Sequence, residues 1–167
     1  MGKVVSMAAQ RREIAARYTA LLAQSPLLSR LFMPPIDRRG PGDELVLTAY
    51  PLLLHRAEWG ARRLPVLHSK QALDQRTHPH VLQFRDSIMQ TLAGQGISLR
   101  PPMISLLDVD YIRRSPLCQP ALLPESVLVR ALTIGLPIFP GLSPVQQELV
   151  VASLEAACLL HLPVLDS

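Results

Sequence analysis

Apolar positions along the chain switch repeatedly between a helical and a strand period, and those switches set out the expected elements. Between Met7 and Ala23, the residues Met7, Ile14, Tyr18 and Leu21 share one face of a 3.6-residue repeat, with Arg12, Glu13 and Arg17 largely outside it. This predicts a leading helix over residues 7–25, stopped by Pro26. Leu27 to Asp43 reads as a loop broken by Pro34-Pro35 and Gly40-Pro41-Gly42. From Glu44 to His55 an almost continuous apolar run of strand length predicts the central strand, covered on both faces or bent at Pro51. Arg56 to His78 is polar and Arg-rich, and carries the only tryptophan, Trp59. Helical spacing returns with Val81, Phe84, Ile88 and Leu92, opened near Thr77 to Pro79 and closed by Gly94 or Gly96. Ile97 to Arg100 predicts a short strand, Met103 to Leu123 an extended loop with a turn or two of helix, and Pro124 to Arg130 a short helix.

The last third of the chain is punctuated more sharply. Pro137 and Pro140 fix φ and remove two donors, so Leu136 to Pro140 is expected as an edge strand or extended connection, followed by a turn at Gly141. Ser143 suits a helix N-cap, Pro144 the first helical position, and Gln146 stands three residues after the cap, which completes a capping-box pattern. In the helix that follows, Val145, Leu149, Ala152, Ala156 and Leu159 step by four, three, four and three. That spacing predicts the face turned to the core, with Gln146, Gln147, Ser153 and Glu155 mostly on the other side.

At 167 residues the chain has the length of one domain, 1–167, divided into the leading helix (7–25) and an α/β part (43–167). Sixteen prolines, spread from Pro26 to Pro163, cut it into short elements and exclude a plain bundle or long coiled coil. With 49% hydrophobic and 18% charged residues it is globular in composition. The expected fold class is α+β, a small, mostly antiparallel sheet packed with helices.

Charge adds little. The formal net charge is +4 and the pI about 9.6, yet the pairs Arg11-Arg12, Arg38-Arg39, Arg62-Arg63 and Arg113-Arg114 are scattered, with no aromatic ladder on which bases could stack. No nucleic-acid partner is expected. Cys118 and Cys158 lie in apolar surroundings and read as buried reduced thiols, which points to a cytoplasmic protein. Met1 to Met7 lacks the apolar core of a secretory signal, and Leu149 to Leu160 reads as too short to span a bilayer, so no membrane partner is expected.

A search for chemistry returns no catalytic constellation. His78-Pro79-His80 offers two possible metal ligands but lacks a nearby cysteine or carboxylate pair, and reads as a polar helix start. Asp108 and Asp110 share one face of a strand-like segment, where loop capping accounts for them. No phosphate-cradling glycine loop is present. The only lysines are Lys3 and Lys70, the first near the terminus and the second in a polar loop, and neither stands in a context that desolvates a Schiff-base amine.

Four segments in this order resemble one known family. Arg11-Arg12-Glu13-Ile14-Ala15-Ala16-Arg17-Tyr18 resembles the helix that follows the large domain of DegT/StrS-type, pyridoxal-phosphate-dependent nucleotide-sugar aminotransferases. Leu47 to Leu54 is similar to the first sheet strand of their C-terminal small domain, and Arg85-Asp86-Ser87-Ile88 through Leu92 with Gly96-Ile97 to its helix and Gly-Ile strand. Leu136 to Ser143 with the last helix resembles the Leu-Pro-x-x-Pro-Gly-Leu/Met-Ser/Thr ending. The resemblance implies a type I aminotransferase small domain without its large catalytic domain. In that family the cofactor lysine, the acidic partner of the pyridine nitrogen and most phosphate ligands belong to the large domain, so no catalytic, cofactor-binding or metal residue carries over. It implies pyridoxal phosphate for the family and none bound by this chain alone. It further implies either a separate large-domain subunit as partner or, if the fold has been repurposed, self-association. The family's Gly-Ile strand leads into a His-bearing loop; here that loop reads Leu99-Arg100-Pro101-Pro102-Met103-Ile104, and Arg100 is the one candidate for a substrate edge.

Overall fold

The computed structural model describes residues 2–35, 47–54, 79–100, 109–115 and 132–165. Its elements run α1 (Gly2–Gln24), α2 (Pro26–Leu31), β1 (Phe32–Met33), β2 (Tyr50–Leu54), α3 (Pro79–Gly94), α4 (Asp110–Arg113), β3 (Thr133–Leu136) and α5 (Pro144–Leu165). The architecture is α+β, and the described strands form a three-stranded antiparallel sheet in the order β1-β2-β3.

Register decides which sheet face is buried. Phe32 pairs with Leu54, Leu52 with Ile134 and Tyr50 with Leu136, and all six are buried on one face. Pro51, whose missing N–H ought to weaken an inner strand, pairs with Gly135. Gly135 exchanges both of its backbone hydrogen bonds with Arg100 on the far side. Pro51 therefore occupies a non-hydrogen-bonded position and removes no bond between β2 and β3.

Against this face pack α1 through Ile14, Ala15, Tyr18 and Leu22, α3 through Val81, Phe84, Ile88 and Leu92, and α5 through Val150, Val151, Leu154, Ala157 and Cys158, in one core. The α5 helix lies against both α3 and α1. Among the described residues, three polar contacts, one buried and two partly buried, tie these layers together. Gln147 Nε2 donates to the Ile14 carbonyl at 2.8 Å, and Ser25 Oγ donates to Glu155 while accepting the Leu28 N–H. Thr91 Oγ1 meets His161 Nε2 at 2.8 Å.

Several expectations change. The leading helix starts at Gly2, earlier than Met7, and ends at Gln24. Residues Pro26–Leu31, expected as loop, form α2: Pro26 stops α1 but also fills the first position of a helix that Ser25 caps. Phe32–Met33 then pairs as an edge strand. The central strand is shorter than the apolar run, since Leu47 to Ala49 lie outside it and 44–46 and 55 lie outside the described residues. Among the described residues, Ile97 to Arg100 makes only the single bridge to Gly135. At the junction the strand is Thr133–Leu136, and residues 137–139 form the extended connection, because Pro137 cannot continue the ladder. The short helix expected over 124–130 and the segment around Trp59 lie outside the described residues.

The capping box forms as expected. Ser143 N–H donates to Gln146 Oε1 at 2.9 Å, Gln146 N–H donates to Ser143 Oγ at 3.2 Å, and Gly141 takes φ +90° in the preceding turn. Ser143→Ala is expected to lower stability by about 1 kcal/mol, read as a fall in the urea midpoint with an unchanged slope. An unchanged midpoint would mean that packing alone sets the start of α5.

Candidate functional site

Among the described residues, those singled out from the sequence do not converge. Arg100 holds Gly135 through two backbone hydrogen bonds, and its side chain is exposed. His80 is half-buried in the first turn of α3, and His78 lies outside the described residues. Asp110 opens the helix α4, which corrects the strand-like reading of its segment, and pairs with Arg114 at 3.7 Å; Asp108 lies outside the described residues. Lys70 and Cys118 lie outside them too, and no side chain is described for Lys3. Among the described residues no three His, Cys, Asp or Glu side chains gather for a metal.

Cys158 is fully buried. Desolvation first, and the neighbouring Glu155 charge second, push its thiol up to about 12, which makes it an inert core thiol and not a nucleophile. Beneath the sheet Tyr18 and Tyr50 stack at 5.3 Å between centroids, tilted by 42°. The Thr19 hydroxyl donates to the Ala15 carbonyl at 3.0 Å, which leaves Tyr50 as the donor in its 2.7 Å contact with Thr19 Oγ1. Tyr18 Oη is buried with no hydrogen-bond partner among the described residues. Burial, and then the Tyr50 charge, raise the Tyr18 phenol well above its ordinary range. These groups are core, and none opens to a reacting ligand.

What does face outward is α5, and the side that faces outward is the one expected in the core. Val145 is 73% exposed, Leu149 59%, Leu159 60% and Leu160 65%, whereas Leu154 is 0% and Gln147 2% exposed. Ala152 and Ala156 are exposed with them. The helix is apolar on two sides, so a four-three-four-three stripe did not identify the inner one. The inner side is the one where Val150, Val151, Leu154, Ala157 and Cys158 pack densely and where the polar Gln147 finds the Ile14 carbonyl. Sequence spacing contained the outward stripe, residue by residue, with its direction inverted.

The same helix corrects the length expected for this region. Pro144–Val164 is long and apolar enough to cross a membrane by length and composition, alone in this among the described residues. Its packing is that of a helix laid on protein: one side is buried against α1 and α3, and Glu148 is paired at the rim with Arg17. The candidate functional site is therefore a surface, the outer face of α5.

No family model and no curated protein matches the sequence. Solved structures do resemble the fold. Streptococcus pneumoniae Spr1654, described as a sugar aminotransferase, matches in its apo form with a TM-score of 0.68 and 15% identity, over 99% of this chain and 34% of that one. The same protein also matches in its PMP and PLP forms. Helicobacter pylori PseC, an aminotransferase involved in the biosynthesis of pseudoaminic acid, matches with a TM-score of 0.65 and 16% identity, over 93% and 34%. A DegT DnrJ EryC1 StrS aminotransferase from Brucella abortus matches with a TM-score of 0.52 and 17% identity, over 90% and 31%. The chain thus has the fold of part of a sugar aminotransferase, and spans about a third of the length of these structures.

Proposed function

We propose that this chain corresponds to the C-terminal small domain of a pyridoxal-phosphate-dependent sugar aminotransferase, is not catalytic by itself and acts with a large-domain partner in the cytoplasm. The observation that carries the reading is the asymmetry of coverage: nearly all of this chain aligns with only about a third of each neighbour. The residues agree with it. The chain's only lysines, Lys3 and Lys70, stand in no sequence context that would desolvate a Schiff-base amine. No reaction step is assigned to the described residues.

Adding pyridoxal phosphate to the purified chain is expected to give only the spectrum of the free cofactor. A borohydride-reducible, protein-bound absorption band that disappears in Lys70→Ala would overturn the proposal, because the chain would then carry its own cofactor lysine. Adding a large-domain partner should create such a band on that partner's lysine and leave Lys70→Ala indistinguishable from the parent.

A second reading, favoured by the outward apolar face of α5, is a non-enzymatic interaction or self-association module built on the same fold. The two readings differ in what the chain needs: another kind of polypeptide in the first, none or its own copy in the second.

A further inference from the structure

Position along α5 makes its outer face more specific than an apolar patch. At 100° per residue, Val145, Leu149, Ala152, Ala156, Leu159 and Pro163 all fall within about 40° of the direction opposite Leu154. All six are exposed, and their steps of four, three, four, three and four are the a/d spacing of a coiled-coil seam. The seam also reads the same from either end about residue 154. Val145 and Pro163 are equidistant from that centre, as are Leu149 and Leu159, and Ala152 and Ala156.

We infer that α5 pairs antiparallel with α5 of a second copy of this chain about a two-fold axis at Leu154. In that register Leu149 of each copy faces Leu159 of the other, an a position against a d position, as antiparallel pairing requires. Ala152 faces Ala156 at the centre, where small side chains let the helix backbones approach closely, and Val145 faces Pro163 at the ends. A two-fold contact must be self-complementary, and this one is so position by position. Polar groups lie beside the seam and not within it: Glu148 is held by Arg17, Glu155 by Ser25, and Ser153 is half-buried. Leu160, 65% exposed, widens the apolar strip on one flank.

Size sets the strength. The seam is about 27 Å long and about 10 Å wide, roughly 300 Å² per copy, which places an isolated helix pair among weak, concentration-dependent contacts. This deepens the self-association reading above by naming its surface, partner and register.

Sedimentation velocity on the full chain, from micromolar to the order of 100 µM, should show a reversible monomer–dimer equilibrium. Leu149→Glu and Leu159→Glu should each weaken it about tenfold or more, since each change appears twice in a symmetric contact, with an unchanged circular dichroism spectrum because both residues are exposed in the single chain. Register is read by oxidising a mixture of Val145→Cys and Pro163→Cys chains. A disulfide joining position 145 to position 163 is expected, whereas 145 to 145 would lie about 27 Å apart. A chain that stays monomeric overturns both the pairing and the self-association reading. A dimer indifferent to Leu149→Glu and Leu159→Glu, or cross-linked 145 to 145, overturns the α5 pairing while self-association stands. If only a different large-domain polypeptide binds, and Leu149→Glu abolishes that binding, the seam belongs to that partner and the inference fails.

Discussion

Leu154→Ala is expected to lower the unfolding free energy by about 2–5 kcal/mol, while Leu149→Ala, five residues earlier on the same helix, changes it by no more than about 0.5 kcal/mol. Both substitutions remove the same atoms from a leucine in α5. Leu154 is fully buried on the side packed against α1 and α3, so its loss removes apolar contact and leaves a cavity that the surrounding elements only partly close. Leu149 is 59% exposed, and alanine there gains slightly in helix propensity. Urea unfolding of the two variants at low protein concentration, where the chain is monomeric, measures the contrast directly. If Leu149→Ala proved the costlier change, the helix would be seated with its other face inward, and the antiparallel seam would disappear with it. A cost below about 1 kcal/mol for both would mean that α5 is not docked at all.

That contrast also marks where the sequence was legible. Short-range chemistry was read correctly: the capping box at Ser143 and Gln146, the turn at Gly141, and the core face of α3 at Val81, Phe84, Ile88 and Leu92 all depend on residues within a few positions of one another. The face of α5 was not, because a helix apolar on two sides carries two stripes, and which of them is inner depends on α1 and α3, far away in sequence. Gln147 shows how this happens. Taken alone it belongs outside, yet the Ile14 carbonyl 133 residues before it makes it one of the most buried side chains in the molecule. The α2 helix was hidden for a different reason, since a proline that ends one helix and a proline that begins the next are the same letter, and only the Ser25 cap separates the two meanings. The family resemblance was legible from the order of four segments, and solved sugar aminotransferases share the fold at 15–17% identity.

Raising the pH is expected to unfold this chain by ionising its core before any surface group matters. Three buried weak acids, Tyr18, Tyr50 and Cys158, are each raised above their ordinary ranges chiefly by desolvation, with Cys158 pushed up to about 12. The unfolded chain gives up these protons more readily than the folded one, so the folded state is favoured while all three are neutral. Their contribution is nearly complete below about pH 8, where even an exposed thiol is mostly protonated, and is lost progressively as the pH climbs toward the folded-state values. The urea midpoint should therefore be flat between about pH 7 and 8 and fall steeply above about 10. Tyr18→Phe separates the causes. Its hydroxyl has no partner among the described residues, so removal should raise stability by about 1 kcal/mol at neutral pH and also blunt the alkaline fall. Tyr50→Phe should do the opposite at neutral pH, costing about 1 kcal/mol, because that hydroxyl donates to Thr19. The double variant Tyr18→Phe with Cys158→Ala should retain most of its neutral-pH stability at pH values where the parent has lost much of its own. An alkaline fall of equal depth in parent and double variant would place the ionising groups elsewhere, and Tyr18 and Cys158 would then be spectators of the transition.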